Sequence, residues 1–480
     1  MSTKVSRELD KFFDDLIGND RQKIYDQIGL KLPHHFRFNP LKGDVKDQID
    51  FFREQGFGFD AIEGRDDIFR ISYQPYPIGK SLSHFMGHIY VQDIASMIPA
   101  IVLDPQPGDW VLDMSAAPGS KTTLMGALMK NQGVILANDI VSKRLRALGK
   151  NLERMSICNT LVYQWYGEQF GNAYFETFDR VLLDPACSGL GTLHKNPEII
   201  GWWTENHCER LASSQKNLMV SAIKALRPGG TMVYSTCTLA PIENEAIVQF
   251  ALDNFPVELE DVSFSGLQTW PGKTEFRGKK FDASLENTIR LYPFERVTEG
   301  FYVAKLRKTD SAKSPAPEKR KKPRQMNYLM HKTSPVKKYL DFYSDYFQIP
   351  RKVFKDYRYL LKKEIVFLDR DVEKFPIIGS PQQMGLPLAR AMDRVGKFNT
   401  GGCHMFGHYA QDKVITIEDL ETLQKFVNRE PLEIPVDVPG QYIVKYKNNV
   451  LGYGVADKGR LKSQFPKGDW PFEVIVKDKS

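Results

Sequence analysis

From Pro107 the hydrophobic pattern changes period repeatedly. Short apolar runs bounded by turn residues alternate with longer stretches in which apolar positions recur every three or four residues. PGDWVLDMS, GVILANDI, NTLVY and FDRVLLDP read as strands; SKTTLMGALMK and SKRLRALGKNLERM read as helices. A long helix is predicted within 203–226, with Leu211, Leu218, Ala222 and Ala225 on one face. PGG then turns into the strand TMVYSTCT (231–238). ENEAIVQFALDNF is a further helix, and VELEDV and GFYVAKLRK are closing strands. Strands separated by helices of this length mean βαβ units around a parallel sheet.

Upstream, Phe12, Phe13, Leu16 and Ile17 lie at helical spacing. QIDFFREQGF (48–57) is a second helix, and IFRISYQPYPIG (68–79) is a strand then a turn. HIYVQDIASMIPAIVL (88–103) is predicted as one helix with a polar start. Downstream, 307–324 carries eight basic residues against two acidic among Pro and Ser, the composition of a linker or a phosphate-contacting arm. Beyond it, VKKYLDFYSDYF and VFKDYRYLLKKE have helical spacing, and 441–470 alternates strand-like runs with turns, as in a small β-barrel. The predicted division is an α+β module at 1–88, an α/β domain at 89–308, a basic linker at 309–325 and a separate region at 326–480.

Composition narrows the classes. The 480 residues are 42% apolar and 26% charged, enough for more than one globular core. A net charge of +7 with 20 Tyr and 30 Phe fits an anionic partner such as nucleic acid. Five scattered cysteines argue for a reducing, cytoplasmic setting without disulfides or a zinc site. The expectations are no metal, no signal peptide and no membrane span.

The chemistry concentrates where predicted strands end. FDRVLLDPACSGLG (178–191) ends a strand in Asp184 with Cys187 three residues on, and TMVYSTCT carries Cys237 at its end. Ligands of doubly wound sheets sit at such carboxyl ends. DMSAAPGSKTT joins strand to helix through Ser115, Ala116, Ala117, Pro118, Gly119, Ser120 and Lys121. It lacks the spacing of a phosphate loop or a dinucleotide fingerprint. With Asp139 closing the next strand, where an acid grips ribose hydroxyls, the pattern favours S-adenosylmethionine. Two strand-end thiols suit methylation of cytosine carbon 5. A thiolate adds to carbon 6, the enamine takes the methyl group, and proton loss with thiol elimination restores the ring. Asp184 would hydrogen-bond base nitrogen 3. Cys158, Cys208 and Cys403 are read as small buried hydrophobes.

DMSAAPGSKTT, the Asp139 strand, DPACSGLGT and YSTCTLAPIENE, preceded by FRFNP (36–40) and YVQDIASM (90–97), resemble the Nop–Sun family of RNA cytosine-5 methyltransferases over 35–308. The resemblance implies a Rossmann-like S-adenosylmethionine methyltransferase core with a small α+β amino-terminal module. The carboxyl-terminal part is similar to the pseudouridine-synthase-like (PUA-like) RNA-binding region of bacterial enzymes acting on 16S ribosomal RNA in the small subunit. It implies Cys237 as nucleophile, Cys187 in product release, and Asp184 between cofactor and base. It also places Lys121 in the active site, the cofactor on 115–121 and Asp139, and Lys195 on the RNA backbone. Arg37 and Asn39 either shape the RNA side or brace the sheet. DPAC lacks the more usual proline at Ala186, and Tyr166 stands where many relatives carry an acid against adenine. A transfer RNA cytosine-5 methyltransferase and a non-catalytic ribosome-assembly factor of the same fold are the alternatives; the expected state is a monomer. A DNA cytosine methyltransferase fits less well, since it lacks FRFNP and uses the earlier cysteine as nucleophile.

Overall fold

The computed structural model describes residues 5–312, 322–361, 363–390, 398–434, 436 and 438–466. Much of the predicted linker, 313–321, lies outside them, as does the end of the chain from 467.

The central sheet runs Leu226–Thr236, Phe178–Leu183, Trp110–Asp113, Val134–Asn138, Thr160–Tyr163, all parallel. Phe301–Lys308 joins antiparallel beside Leu226–Thr236, followed by Ile289–Leu291 and Trp270–Pro271. The middles of its parallel strands, such as Val111, Leu112, Ile135, Leu136, Val181 and Leu182, are apolar and buried, as in sheets covered on both faces. Strand order reverses about Trp110–Asp113, so the crevice must open at the carboxyl ends of that strand and its neighbours. Asp139, Asp184 and Cys237 each follow directly on the last residue of a parallel strand.

Helix Glu205–Ala225 buries Cys208, Ala212, Gln215, Met219 and Ala222, with Leu211 and Leu218 only partly covered. The predicted face is therefore rotated by about one position. Gln215 is what the apolar pattern hid: a polar side chain on the buried stripe, with a function described below.

In the amino-terminal module a four-stranded antiparallel sheet runs Gly58–Ile62, Arg65–Tyr73, His35–Phe38, Ile89–Val91. The predicted boundary at 88/89 cuts this sheet, and the single helix at 88–103 is a strand followed by helix Ile94–Leu103. Asp93 separates them, its side chain accepting from the Ala95 amide at 2.9 Å as the helix N-cap. The polar start is a cap between two apolar elements.

The predicted helix at 353–364 is mostly strand. Tyr357–Leu361 pairs with Glu364–Asp369, and Leu386–Arg390 completes a three-stranded sheet, with Tyr359 and Leu360 buried by that pairing. Helix Val336–Phe347 forms as its spacing predicts. The β-rich end is a five-stranded sheet in the order Val414–Ile417, Gly440–Tyr446, Asn449–Asp457, Arg460–Ser463, Pro431–Glu433.

The sequence predicts a separate region at 326–480, yet the described part of it is packed onto both other modules. Gln383–Met384 pairs antiparallel with Thr160–Tyr163, and Asp369 Oδ1 accepts from the Gly133 amide at 3.1 Å. Phe426, Tyr442 and Phe465 share an apolar cluster with Phe51, Leu82 and Phe85 of the amino-terminal module. The linker composition marks one crossing of the chain, and says nothing of how much apolar surface meets beyond it.

Candidate active site

Asp113 ends the central strand with its side chain buried. Thr122 Oγ1 donates to its Oδ2 at 2.7 Å, tying the first turn of helix Ser120–Leu128 to the strand end. Burial pushes the Asp113 carboxyl up to about 6, against the Thr122 hydrogen bond and the Lys121 charge, which pull it down. Between strand and helix the 115–121 loop is held by the next strand and helix. The Ala116 amide donates to Asn138 O at 2.7 Å, Asn151 Nδ2 donates to Pro118 O at 2.9 Å, and Arg144 donates to Ala117 O. Gly119 adopts φ +107°, and a Cβ there would stand 2.9 Å from Leu148 Cδ1. The loop thus needs glycine for both conformation and space.

Asp139 is buried at the end of its strand. Its Oδ1 accepts from the Val141 amide at 2.9 Å. Its Oδ2 lies 3.0 Å from Arg144 Nη1 but has no hydrogen-bond partner of acceptable geometry. A buried carboxylate oxygen with an unfilled acceptor position, facing a glycine-containing loop, fits the hydroxyls of a nucleoside ribose. Tyr166 lies just past the strand Thr160–Tyr163 and is 62% exposed, so its ring is open to stack on a base. These residues fit S-adenosylmethionine.

On the other side of the switch point, Lys121 Nζ donates to Asp184 Oδ2 at 2.6 Å and to Ser96 Oγ at 3.2 Å. Ser235 Oγ donates to Asp184 Oδ1 at 3.0 Å. Burial works to lower the Lys121 pKa, but the Asp184 charge and hydrogen bond outweigh it and hold the pKa above its ordinary value. The ammonium therefore stays charged, and one of its three N–H donors is left for a ligand.

Cys187 Sγ and Cys237 Sγ stand 3.2 Å apart, and both cysteines are free and partly exposed. The hydrogen bond to Cys237 and then burial push the Cys187 thiol well up, so Cys187 keeps its proton. The missing proline at Ala186 is compensated from elsewhere in the chain. Gln215 Nε2 donates to Ala186 O at 2.9 Å and to Glu243 Oε2 at 3.0 Å, and the Ser188 amide donates to the same Glu243 oxygen at 3.0 Å. Ser188 and Thr238 hydroxyls, 2.7 Å apart, tie the two cysteine loops together. The Gly191 amide holds Cys237 O at 2.9 Å. Behind Cys237, the buried Arg290–Glu245 ion pair fixes the following turn, with Arg290 Nη1 donating to Leu239 O at 3.0 Å.

The structure also places the remaining residues the sequence singles out. Cys158, Cys208 and Cys403 are buried. Lys195 is half-exposed, but its ammonium is already paired with the buried Glu299. Arg37 and Asn39 are braces. Arg37 Nη2 donates to Thr123 Oγ1 at 2.8 Å, and Asn39 Nδ2 donates to Gly87 O and Met155 O, each at 3.0 Å. Both join the amino-terminal module to the α/β domain from within. Sequence reasoning misses Ser96, Ser235, Gln215 and Glu243. Ser96 and Ser235 stand inside the YVQDIASM and YSTCT motifs, and nothing local tells them from ordinary small residues.

The described residues contain no cluster of metal-ligating side chains and no helix long and apolar enough to cross a membrane. Residues 100–307 match the family model described as 16S rRNA methyltransferase RsmB/F, and 415–468 match the methyltransferase RsmF PUA domain. The chain is 31% identical to a ribosomal RNA small subunit methyltransferase F of Vibrio parahaemolyticus, over 92% of this chain and 91% of that protein. It is 37% identical to a tRNA (cytosine(49)-C(5))-methyltransferase of Pyrococcus abyssi, over 64% of this chain and 97% of that one. Among solved structures, a methyltransferase homolog from Pyrococcus horikoshii superposes with a TM-score of 0.57 at 36% identity, covering 62% of this chain and 94% of its own. With its fold, its cofactor loop and near full-length relatives in agreement, the chain belongs to the RsmB/F family of S-adenosylmethionine-dependent RNA cytosine-5 methyltransferases.

Proposed function

We propose that this enzyme methylates carbon 5 of one cytosine in 16S ribosomal RNA of the small subunit, through a covalent adduct on Cys237. The observation that carries the reading is the pair of sulfurs at 3.2 Å beside the Lys121–Asp184 ion pair. S-adenosylmethionine, when bound on 115–121, Asp139 and Tyr166, supplies an electrophilic methyl group. Of the two sulfurs, Cys237 is the nucleophile toward carbon 6, the role the resemblance of its STCT motif implies, and the raised pKa of Cys187 is in keeping with that. Attack drives charge onto the base, where the free Lys121 donor serves nitrogen 3 and the Asp184 carboxylate accepts from the exocyclic amine. This divides between two side chains what the sequence suggests for Asp184 alone. After transfer, the protonated Cys187 serves departure of the Cys237 sulfur by donating a hydrogen bond to the leaving thiolate, as the carbon-5 proton passes to solvent.

The carboxyl-terminal region favours ribosomal over transfer RNA. The 16S-type relative spans it, whereas the match to the archaeal transfer RNA enzyme covers only 64% of this chain. One chain supplies every catalytic group, which supports a monomer, and five free cysteines suit the reducing cytoplasm. Labelled methyl transfer to 16S RNA, free or in the small subunit, against total transfer RNA tests the substrate. Bisulfite mapping then locates the base. Label on transfer RNA alone would replace this reading, and no transfer to any RNA would favour an assembly factor.

Removing the Asp139 carboxylate tests the cofactor half. Asp139→Ala loses two charge-assisted hydrogen bonds at about 1.5 kcal/mol each, so S-adenosylmethionine affinity should fall by roughly 3 kcal/mol, on the order of a hundredfold. RNA affinity should stay the same. Calorimetry showing unaltered cofactor binding would remove Asp139 from the site.

A further inference from the structure

A groove of about 1370 Å³ runs between helix Ser142–Arg154 and the three-stranded sheet of the carboxyl-terminal region. Ser142, Arg146, Gly149, Lys150 and Glu153 recur at helical spacing along one wall. Lys363 and Arg390 stand on the other, with Glu364. Leu145 and Met384, both buried, lie in the apolar floor between.

Four cations thus face one groove against two carboxylates. Arg146, Lys150, Lys363 and Arg390 are all exposed, and none makes a side-chain hydrogen bond or ion pair among the described residues. Arg144, on the same helix but outside the groove, instead pairs with Asp139. Arg146 and Lys150 are four apart on one helix face, an arrangement that weakens the helix by like-charge repulsion. A merely solvated face would gain by placing acids at such positions, and this one has a single Glu153. Gly149 lets Gln383 approach the helix, since a Cβ there would stand 2.7 Å from Gln383 Oε1. The groove also begins beside residues of the cofactor site. Ser142 and Gln164, which line it, lie three residues after Asp139 and two before Tyr166.

We propose that this groove takes a single-stranded segment of the substrate RNA, with phosphates on the two cationic walls and bases against the apolar floor. The site is made jointly by the methyltransferase domain and the carboxyl-terminal region, so it exists only where the two are docked. The inference rests on the RNA-substrate reading above, and its test does not depend on methyl transfer.

Binding of a 16S RNA transcript is measured across a salt series for the full chain, for Arg146→Ala/Lys150→Ala and for Lys363→Ala/Arg390→Ala. Two lost phosphate contacts should make the log–log salt slope shallower by roughly 1.4 to 1.8 in each double variant. Unaltered S-adenosylmethionine affinity confirms that each variant is folded. Slopes equal to that of the unsubstituted chain in either pair would overturn the groove, because one wall alone is only a basic helix or a basic sheet edge. Normal RNA binding by the unsubstituted chain without methyl transfer would count against the proposed function and leave this test valid. A groove occupied by a protein partner would show as unchanged RNA slopes, and so would also overturn the inference.

Discussion

Cys237→Ser is expected to remove methyl transfer and the covalent RNA adduct together, while Cys187→Ser keeps the adduct and fails to release it. A serine hydroxyl cannot replace a thiolate as a nucleophile toward carbon 6, so the loss should be about 10⁴-fold or more, the scale on which covalent enzymes lose activity with their nucleophile. The sulfurs are 3.2 Å apart, and these two variants tell their proposed roles apart. Cys187 holds its proton under the hydrogen bond to Cys237 and burial, and its loop is aimed by Gln215 and Glu243 in place of the absent proline. Cys187→Ser should therefore accumulate a denaturation-resistant protein–RNA band that slowly turns over. The reverse pattern, adduct trapped in Cys237→Ser and absent in Cys187→Ser, would exchange the two roles. The RNA should present an unpaired cytosine, since extruding a paired one costs a few kcal/mol and failed flipping would mimic failed chemistry.

The site was legible from sequence to the extent that its chemistry sits in contiguous motifs at strand ends. Asp184 and Cys187 come from one strand-to-loop junction, and Asp139 and the 115–121 loop from two others, so local pattern found them. What aims them carries no local mark. Ser96, Ser235 and Glu243 stand inside YVQDIASM and YSTCTLAPIENE, where nothing tells them from ordinary residues, and Gln215 reaches the Cys187 loop from helix Glu205–Ala225. The same division holds for the fold. Strands covered on both faces announce themselves as apolar runs, whereas Tyr357–Leu361 is strand only because Glu364–Asp369 pairs with it. The linker composition at 307–324 marks a separate region, and says nothing of the pairing and apolar cluster by which that region docks. A chain cut after Leu306 would bare the edge of Thr160–Tyr163 and the apolar cluster around Phe51 and Phe85. Weaker RNA binding by such a chain would report lost folding as much as lost phosphate contacts. The paired substitutions in the groove avoid that confusion.

Lys121→Met should lower single-turnover methyl transfer by about 10²- to 10⁴-fold, the range for losing a positioned proton donor. Its ammonium has two of three donors committed, to Asp184 Oδ2 at 2.6 Å and Ser96 Oγ at 3.2 Å, and the third is the one we assign to the base. Methionine keeps the length and apolar stem, so packing against Phe301, whose ring centroid lies 5.6 Å from the ammonium, is largely retained. It leaves Asp184 with Ser235 as its donor. Breaking a fully buried pair costs about 3–5 kcal/mol, and the partial exposure of Asp184 makes the cost here smaller. The double variant Lys121→Met/Asp184→Asn removes the orphaned charge and should regain that stability. That recovery measures the cost of the orphaned charge alone, and activity is read in Lys121→Met, since Asp184 itself faces the base. The pH profile gives a second separation. Because the folded pKa of Lys121 is raised, the stability from its ion pair is fully present below the ordinary lysine value of 10.5 and is lost only as pH rises through the higher folded value. Unsubstituted enzyme should accordingly show no alkaline loss of activity from this group between about pH 7 and 10. Activity of Lys121→Met within about threefold of the unsubstituted enzyme across that window, too small a loss for a proton donor, would place that donor elsewhere.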